Sequence, residues 1–203
     1  MPNSSLASAR ARIRAVLVES LVVKQAVLAT QVEATARVAA VMIAALRRGG
    51  RVFFFGNGGS AGDSQHLAGE LLGRFLHDRR ALAGIALTTD TSTLTAVAND
   101  YSYAEVFARQ IEGLGRRGDV AIGITTSGNS ANVLKAFRRA KALGLTTVAL
   151  TGGTGGQAAR VADHAIIVPS RSTPRIQEAH ITLGHALCEL VEAACGGSRP
   201  HRH

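Results

Sequence analysis

Three stretches of the chain concentrate residues that could do chemistry. His66 and Glu70 stand at i and i+4 in a helix-like segment, which puts an imidazole and a carboxylate about 6 Å apart on one helix face. Such a pair can share a metal ion or a substrate, although by itself it is more often an ordinary surface contact. Gly69 beside them invites a close-approach explanation, because an interior helix glycine costs about 1 kcal/mol relative to alanine. Further along, Thr125-Thr126-Ser127-Gly128-Asn129-Ser130 gathers four hydroxyls and a glycine just ahead of a helix. Hydroxyls and backbone N–H groups at the positive end of a helix dipole can surround a phosphate dianion without any lysine. A capping turn needs only one of them, so four favour phosphate. Near the end of the chain, Gln177, Glu178, His180 and His185 lie among apolar Ile176, Ile181, Leu183, Leu187 and Leu190. A lone histidine in such a setting is usually a core residue with a satisfied hydrogen bond. Gln177 and His185 would be about 12 Å apart along one straight helix, which strains a single small ion. Either the helix begins late or two subunits contribute.

A fourth stretch, Gly56-Asn57-Gly58-Gly59-Ser60-Ala61-Gly62, follows a short apolar run and precedes a helix. Glycines there let the backbone approach a ligand, and a helix start offers unpaired N–H donors, so an anion or a sugar suits the loop. Gly56-x-Gly58-x-x-Ala61 also matches the loose dinucleotide fingerprint. The acid expected about 20 residues on is missing, because the nearest suitable residue is Asp90. A phosphosugar therefore ranks above a nicotinamide or flavin.

The elements that must position these residues follow from periodicity. Ser5 to Arg48 reads as two helices rich in Ala, Leu, Val and Arg, with Glu19, Lys24 and Gln25 marking where they could divide and Gly49–Gly50 stopping the second. Apolar runs at 51–56, 84–89, 119–126, 146–151 and 165–169 read as strands. Helical stretches alternate with them at 60–75, 92–98, 103–114, 130–143 and 157–161, and a long helix closes the chain at 174–194. Alternation of this kind implies a parallel sheet with right-handed crossovers and helices on both faces. Ligands in such a sheet bind at the carboxyl ends of the strands, where the glycine and hydroxyl loops fall.

Composition excludes several function classes. A chain of 203 residues that is 46% hydrophobic can form one well-buried domain and has little room for a second. Aromatic residues are 4% with no Trp, which argues against stacking on nucleic acid bases. The formal charge of +9 favours an anionic partner, yet the pairs Arg47–Arg48, Arg79–Arg80, Arg116–Arg117 and Arg138–Arg139 are spread along the chain as solvated surface rather than one stripe. Nucleic acid binding is therefore not expected; a phosphorylated metabolite would profit from the same field. Cys188 and Cys195 lie too far apart along a helix to pair. No uncharged apolar run is long enough to span a membrane and no signal peptide is evident, so a reducing cytoplasm is the expected address.

Four ordered motifs, GNGGSAGDSQHLAGEL from Gly56, VAND from Val97, TTSGNSANV from Thr125 and RIQEAHITLGH from Arg175, together resemble the sugar isomerase (SIS) domain family, specifically its phosphoheptose isomerases. The resemblance covers nearly the whole chain. It implies an α/β three-layer αβα sandwich with a flavodoxin-like five-stranded parallel sheet at 51–195. Residues 1–50 would be a helical segment for oligomerisation and 196–203 a flexible tail. The assembly would be a homotetramer with active sites between subunits. The implied activity converts sedoheptulose 7-phosphate into D-glycero-D-manno-heptose 7-phosphate through an enediol. Carried over by position, Asn57, Gly58, Gly59, Ser60, Asn99 and Asp100 would line the sugar, and Thr125, Thr126, Ser127 and Ser130 would hold the phosphate. His66, Glu70, Gln177 and His185 match the positions that bind zinc in metal-containing members. Glu70 and His185 would also be the acid/base pair, with Glu70 and Gln177 touching substrate and His185 facing Glu70 from a neighbouring copy. Pro174 stands where many members carry Asp, and Gly69 where an acidic residue is common. A rival resemblance is to non-catalytic relatives that bind the DnaA replication initiator; they lack the acid/base equivalents kept here. A sugar-phosphate-sensing regulator would need a DNA-binding unit, and the N-terminal helices show no helix-turn-helix.

Overall fold

The structure is a computed structural model and describes residues 3–196. Two helices, α1 (Asn3–Thr30) and α2 (Val32–Arg47), lead into β1 (Val52–Gly56) and α3 (Gly59–Leu72). Then follow β2 (Gly84–Ala86), α4 (Thr91–Asp100), a 3-10 turn at Tyr103–Glu105, α5 (Val106–Leu114), β3 (Val120–Thr125) and α6 (Ala131–Ala142). The chain ends with β4 (Thr146–Gly152), α7 (Gly156–Val161), β5 (His164–Val168) and α8 (Thr173–Cys195). The sheet is five-stranded and wholly parallel, in the order β2-β1-β3-β4-β5, as the alternation of elements predicts. Its switch point lies between β1 and β3, which carry the glycine and hydroxyl loops at their carboxyl ends.

Side-chain alternation along β1 divides the core in two. Val52 and Phe54 face a cluster with Val38 and Met42 of α2, Leu67 and Leu71 of α3, and Leu187 and Val191 of α8. Phe53 and Phe55 face the opposite layer, against Phe107 and Ile111 of α5 and Val133 and Phe137 of α6. The chain turns from α2 into β1 at Gly49, whose φ of 77° suits glycine. Across that turn α2 shares one core with the sheet, whereas α1 lies against α8, where the Arg175 guanidinium donates to the carbonyl of Val16 at 2.5 Å.

Three expectations are corrected. The first two helices divide at Gln31, not at Glu19–Gln25, and diverge by 70°. Glu19, Lys24 and Gln25 are exposed and polar side chains on a solvated face do not interrupt a helix. Gln31 instead sends its Oε1 to accept the Ile167 N–H at 2.9 Å, which covers the open edge of β5. Arg79 is not solvated surface; it is 4% exposed and ion-paired with Glu192. Gly69 marks no close approach, since a Cβ there would meet nothing within 4 Å. Beyond Gly196, the expected tail lies outside the described residues. Among the described residues no single helix is long and apolar enough to cross a membrane, although α1 and α2 as a bent pair have the length and composition.

His180, 1% exposed, joins α8 to the sheet through Nε2 and the Thr151 carbonyl at 3.1 Å. Burial outweighs that hydrogen bond and pushes its pKa down to about 4. The unfolded chain takes up a proton near the ordinary value of 6.5 while the native one does not, so stability falls as pH falls below that value. Urea unfolding at about pH 5.5 against about pH 7.5 is expected to show about 1.4 kcal/mol lost through this group, and His180→Gln to flatten the difference.

Candidate functional site

Strand β1 ends in the loop that opens α3, and strand β3 ends in the loop that opens α6; both face the start of α8. Pro174 sits in the first turn of α8, where its missing N–H has no intrahelical partner to lose. Between the three helix starts lies a hollow of about 310 Å³ lined by Asn57, Gly58, Gly59, Ser60, Thr125, Thr126, Ser130, Thr173 and Gln177. The volume suits a small phosphorylated sugar. Thr125 Oγ1 and Ser130 Oγ are 3.0 Å apart across it. A Cβ at Gly59 would stand 2.4 Å from the Gln177 amide nitrogen, so any side chain there displaces the Gln177 amide from the pocket wall. The hydroxyl loop is fixed at Gly128, with φ of 68° and no room for a side chain against the Gly155 carbonyl, 2.1 Å from a Cβ position.

Not every expected residue joins this hollow. Ser127 lines instead an adjoining hollow that shares Thr126 with it, together with Gly152 and Arg171, and its Oγ accepts the Asn129 N–H. Asn99 and Asp100 are exposed at the end of α4, with the Asn99 amide donating to Asp100 at 2.9 Å. Asp100 lines a third hollow with Tyr101, Arg109 and Arg139, so within one chain this pair does not line the sugar pocket. Asp90, weighed as a ribose acid, caps α4 by accepting the Thr93 N–H and hydroxyl.

Farther along α3 and α8, the ionisable residues converge. His66 Nε2 lies 3.3 Å from Glu70 Oε1 and 2.8 Å from His185 Nε2. One ligand atom from each residue falls within 4.8 Å of the other two. All three come from the same chain, so His185 faces Glu70 without a neighbouring copy. Gln177 does not join them; one long α8 places its amide against Gly59, about 12 Å up the axis from His185. Two imidazoles and a carboxylate fit a zinc ion better than a hard cation such as magnesium, and three protein ligands leave a fourth position for substrate. Cys188, on the buried side of α8, stands outside this group of three, and burial and then the Glu70 charge push its thiol up to about 12.

Sequence reasoning passed over four contributors. Asn132 is buried and exchanges amide hydrogen bonds with Asn57 at 2.8 and 3.0 Å, while the Tyr103 hydroxyl donates to the same Asn57 oxygen. Asn57 is thus a braced wall. Asp63, one turn before His66, has a buried Oδ2 without a hydrogen-bond partner. Burial raises its pKa above 3.8 against the opposing charges of His66 and His185. Phe75 stacks on His185 with ring centroids 5.5 Å apart. Asn132 and Asp63 lay inside the quoted motifs, and the i,i+3 spacing of Asp63 and His66 was a usable signal; Tyr103 and Phe75 had none.

A SIS domain family profile matches residues 18–152. The phosphoheptose isomerase of Aquifex aeolicus is 54% identical over 181 residues, 89% of this chain and 95% of that protein. That of Paramagnetospirillum magneticum is 59% identical over 157 residues, 77% of this chain and 82% of that protein. The solved phosphoheptose isomerase GmhA of Neisseria gonorrhoeae superposes with a TM-score of 0.87 at 44% identity, covering 91% of this chain and 99% of that one.

Gly59→Ala tests the pocket with little risk to the fold, because the added methyl meets the far end of a flexible side chain. The variant is expected to melt close to the wild type and to lose about tenfold or more in calorimetric affinity for a small sugar phosphate, about 1.4 kcal/mol.

Proposed function

The chain belongs to the SIS domain family, in its phosphoheptose isomerase branch, and we propose that it interconverts sedoheptulose 7-phosphate and D-glycero-D-manno-heptose 7-phosphate. The observation that carries this reading is the convergence of His66, Glu70 and His185 on the two helices, α3 and α8, whose starts line a hydroxyl-bearing pocket at the switch point of the sheet. His66 follows Ser60 by about 9 Å of helix, a spacing that an extended seven-carbon chain with a terminal phosphate can bridge.

The proposed chemistry needs one carbon-bound proton moved and two oxygens managed. Thr125, Thr126 and Ser130 hold the phosphate and fix the register of the sugar. Glu70 removes the proton from the carbon beside the carbonyl and returns it to the neighbouring carbon. His185, braced by His66 and Phe75, carries protons between the two oxygens of the enediol. His66, Glu70 and His185 would hold zinc, whose contribution when bound is to polarise the carbonyl. The acid/base pair sets aside the non-catalytic, initiator-binding reading. A cytoplasmic location suits two unpaired buried thiols.

We further propose that residues 1–50 drive assembly into a homotetramer. Support comes from α1, whose Ile13, Leu17, Leu21 and Leu28 are 59–71% exposed and form an apolar surface too large to leave in water without purpose. Sedimentation of the wild type is expected to give a tetramer, and Leu17→Glu with Leu21→Glu to give smaller species; a wild-type monomer would contradict the assembly.

Incubation with sedoheptulose 7-phosphate in deuterated water tests the reaction. Product carrying deuterium is expected, and Glu70→Gln is expected to lower turnover by about 10²–10⁴-fold. Chelation is expected to slow turnover and added zinc to restore it. Turnover by Glu70→Gln at the wild-type rate would refute the assigned base.

A further inference from the structure

Beyond the site lies a buried charge cluster that the reaction does not use. Helix α3 ends at Leu72 and the chain turns back through residues 73–80 before β2. One residue of α8, Glu192, receives that segment: its carboxylate accepts the N–H groups of Phe75, Leu76 and His77 at 2.8, 2.7 and 2.9 Å, and Arg79 Nε at 3.0 Å. Arg79 in turn donates to the carbonyls of Glu70 at 2.6 Å, Leu71 at 2.9 Å and Arg80 at 3.0 Å. The side chains of Arg79 and Glu192 are 1% and 3% exposed.

A buried ion pair is weak evidence for stability, since an apolar pair of similar volume often does as well. This one answers needs that an apolar pair would leave unmet. The last carbonyls of α3 have no intrahelical partners, and a guanidinium at the negative end of the helix dipole satisfies them. The three N–H groups on Glu192 hold the returning segment and so fix Phe75. Glu192 also lies about two turns beyond His185 on the same face of α8. One cluster therefore ties the backbone of Glu70 to the helix that carries His185 and presses the Phe75 ring onto that imidazole.

We propose that Arg79 and Glu192 are positioning residues for the isomerase site, acting through Phe75 on His185 and through the α3 terminus on Glu70. The proposal rests on the isomerase reading for its kinetic consequence and on geometry alone for its effect on the His66–Glu70–His185 cluster. Arg79→Lys keeps the charge but loses the forked contacts, and Phe75→Leu removes the ring while leaving the ion pair intact. Each is expected to lower kcat about 10- to 100-fold, to keep KM within about twofold, and to weaken zinc binding, measured by calorimetry on metal-free protein, about tenfold or more. Asp163→Asn, which disrupts a polar cluster with Thr147 and Lys141 at the far edge of the sheet, controls for general destabilisation and is expected to lower the melting temperature with kcat unchanged. Should Arg79→Lys fail to fold, Phe75→Leu decides. Wild-type kcat and zinc affinity in folded Phe75→Leu would overturn the proposal. If the wild type binds zinc without turning over the heptose phosphate, the isomerase reading falls and zinc affinity of the variants decides the positioning role; if it does neither, both fall.

Discussion

The close, side-by-side course of α3 and α8 is the constraint on which the site depends. Both helices start at the carboxyl end of the sheet and run in the same direction, so Gly59 meets Gln177 near their starts and Leu67 meets Gly184 lower down. A Cβ on Gly184 would stand 2.7 Å from Leu67 Cδ2. Without it the helices approach closely enough for His66 and His185 to come within hydrogen-bonding distance. The core of Leu67, Leu71, Leu187 and Val191 beneath them holds that approach by burial. The polar cluster at Glu192 ties their lower ends.

Much of the fold was legible in the sequence because its determinants are local. Short apolar runs between glycine-rich turns could only be buried parallel strands, and the glycine and hydroxyl loops then had to fall at strand ends. The division of the first two helices was not legible at Glu19–Gln25, because a polar residue on an exposed face is compatible with a continuous helix. What ends α1 is the pairing of Gln31 with an edge strand more than a hundred residues away in sequence, and no local pattern encodes it. Arg79 failed for the same reason: its partner Glu192 is distant in sequence, and a pair of arginines looks like surface until the partner is known.

The site was legible in part. His66 and Glu70 were paired by spacing alone, and the resemblance added His185. Within one chain the structure brings these three together and sets the Gln177 amide against Gly59 at the pocket, about 12 Å along α8 from His185. Asn99 and Asp100 stood out by motif, but within one chain both are exposed at the end of α4 and Asp100 lines a different hollow. Asn132 has no signature at the level of residue type, because its role is a buried amide exchange with Asn57, whereas Asp63 was legible from its i,i+3 spacing to His66.

A crystal structure of the protein with sedoheptulose 7-phosphate bound tests the central claim most directly. The account predicts the phosphate among Thr125, Thr126 and Ser130, with the first two carbons of the sugar within hydrogen-bonding reach of Glu70 and His185. A sugar seated in the hollow beside Asp100 and Arg109, with its reacting carbons remote from both side chains, would contradict it.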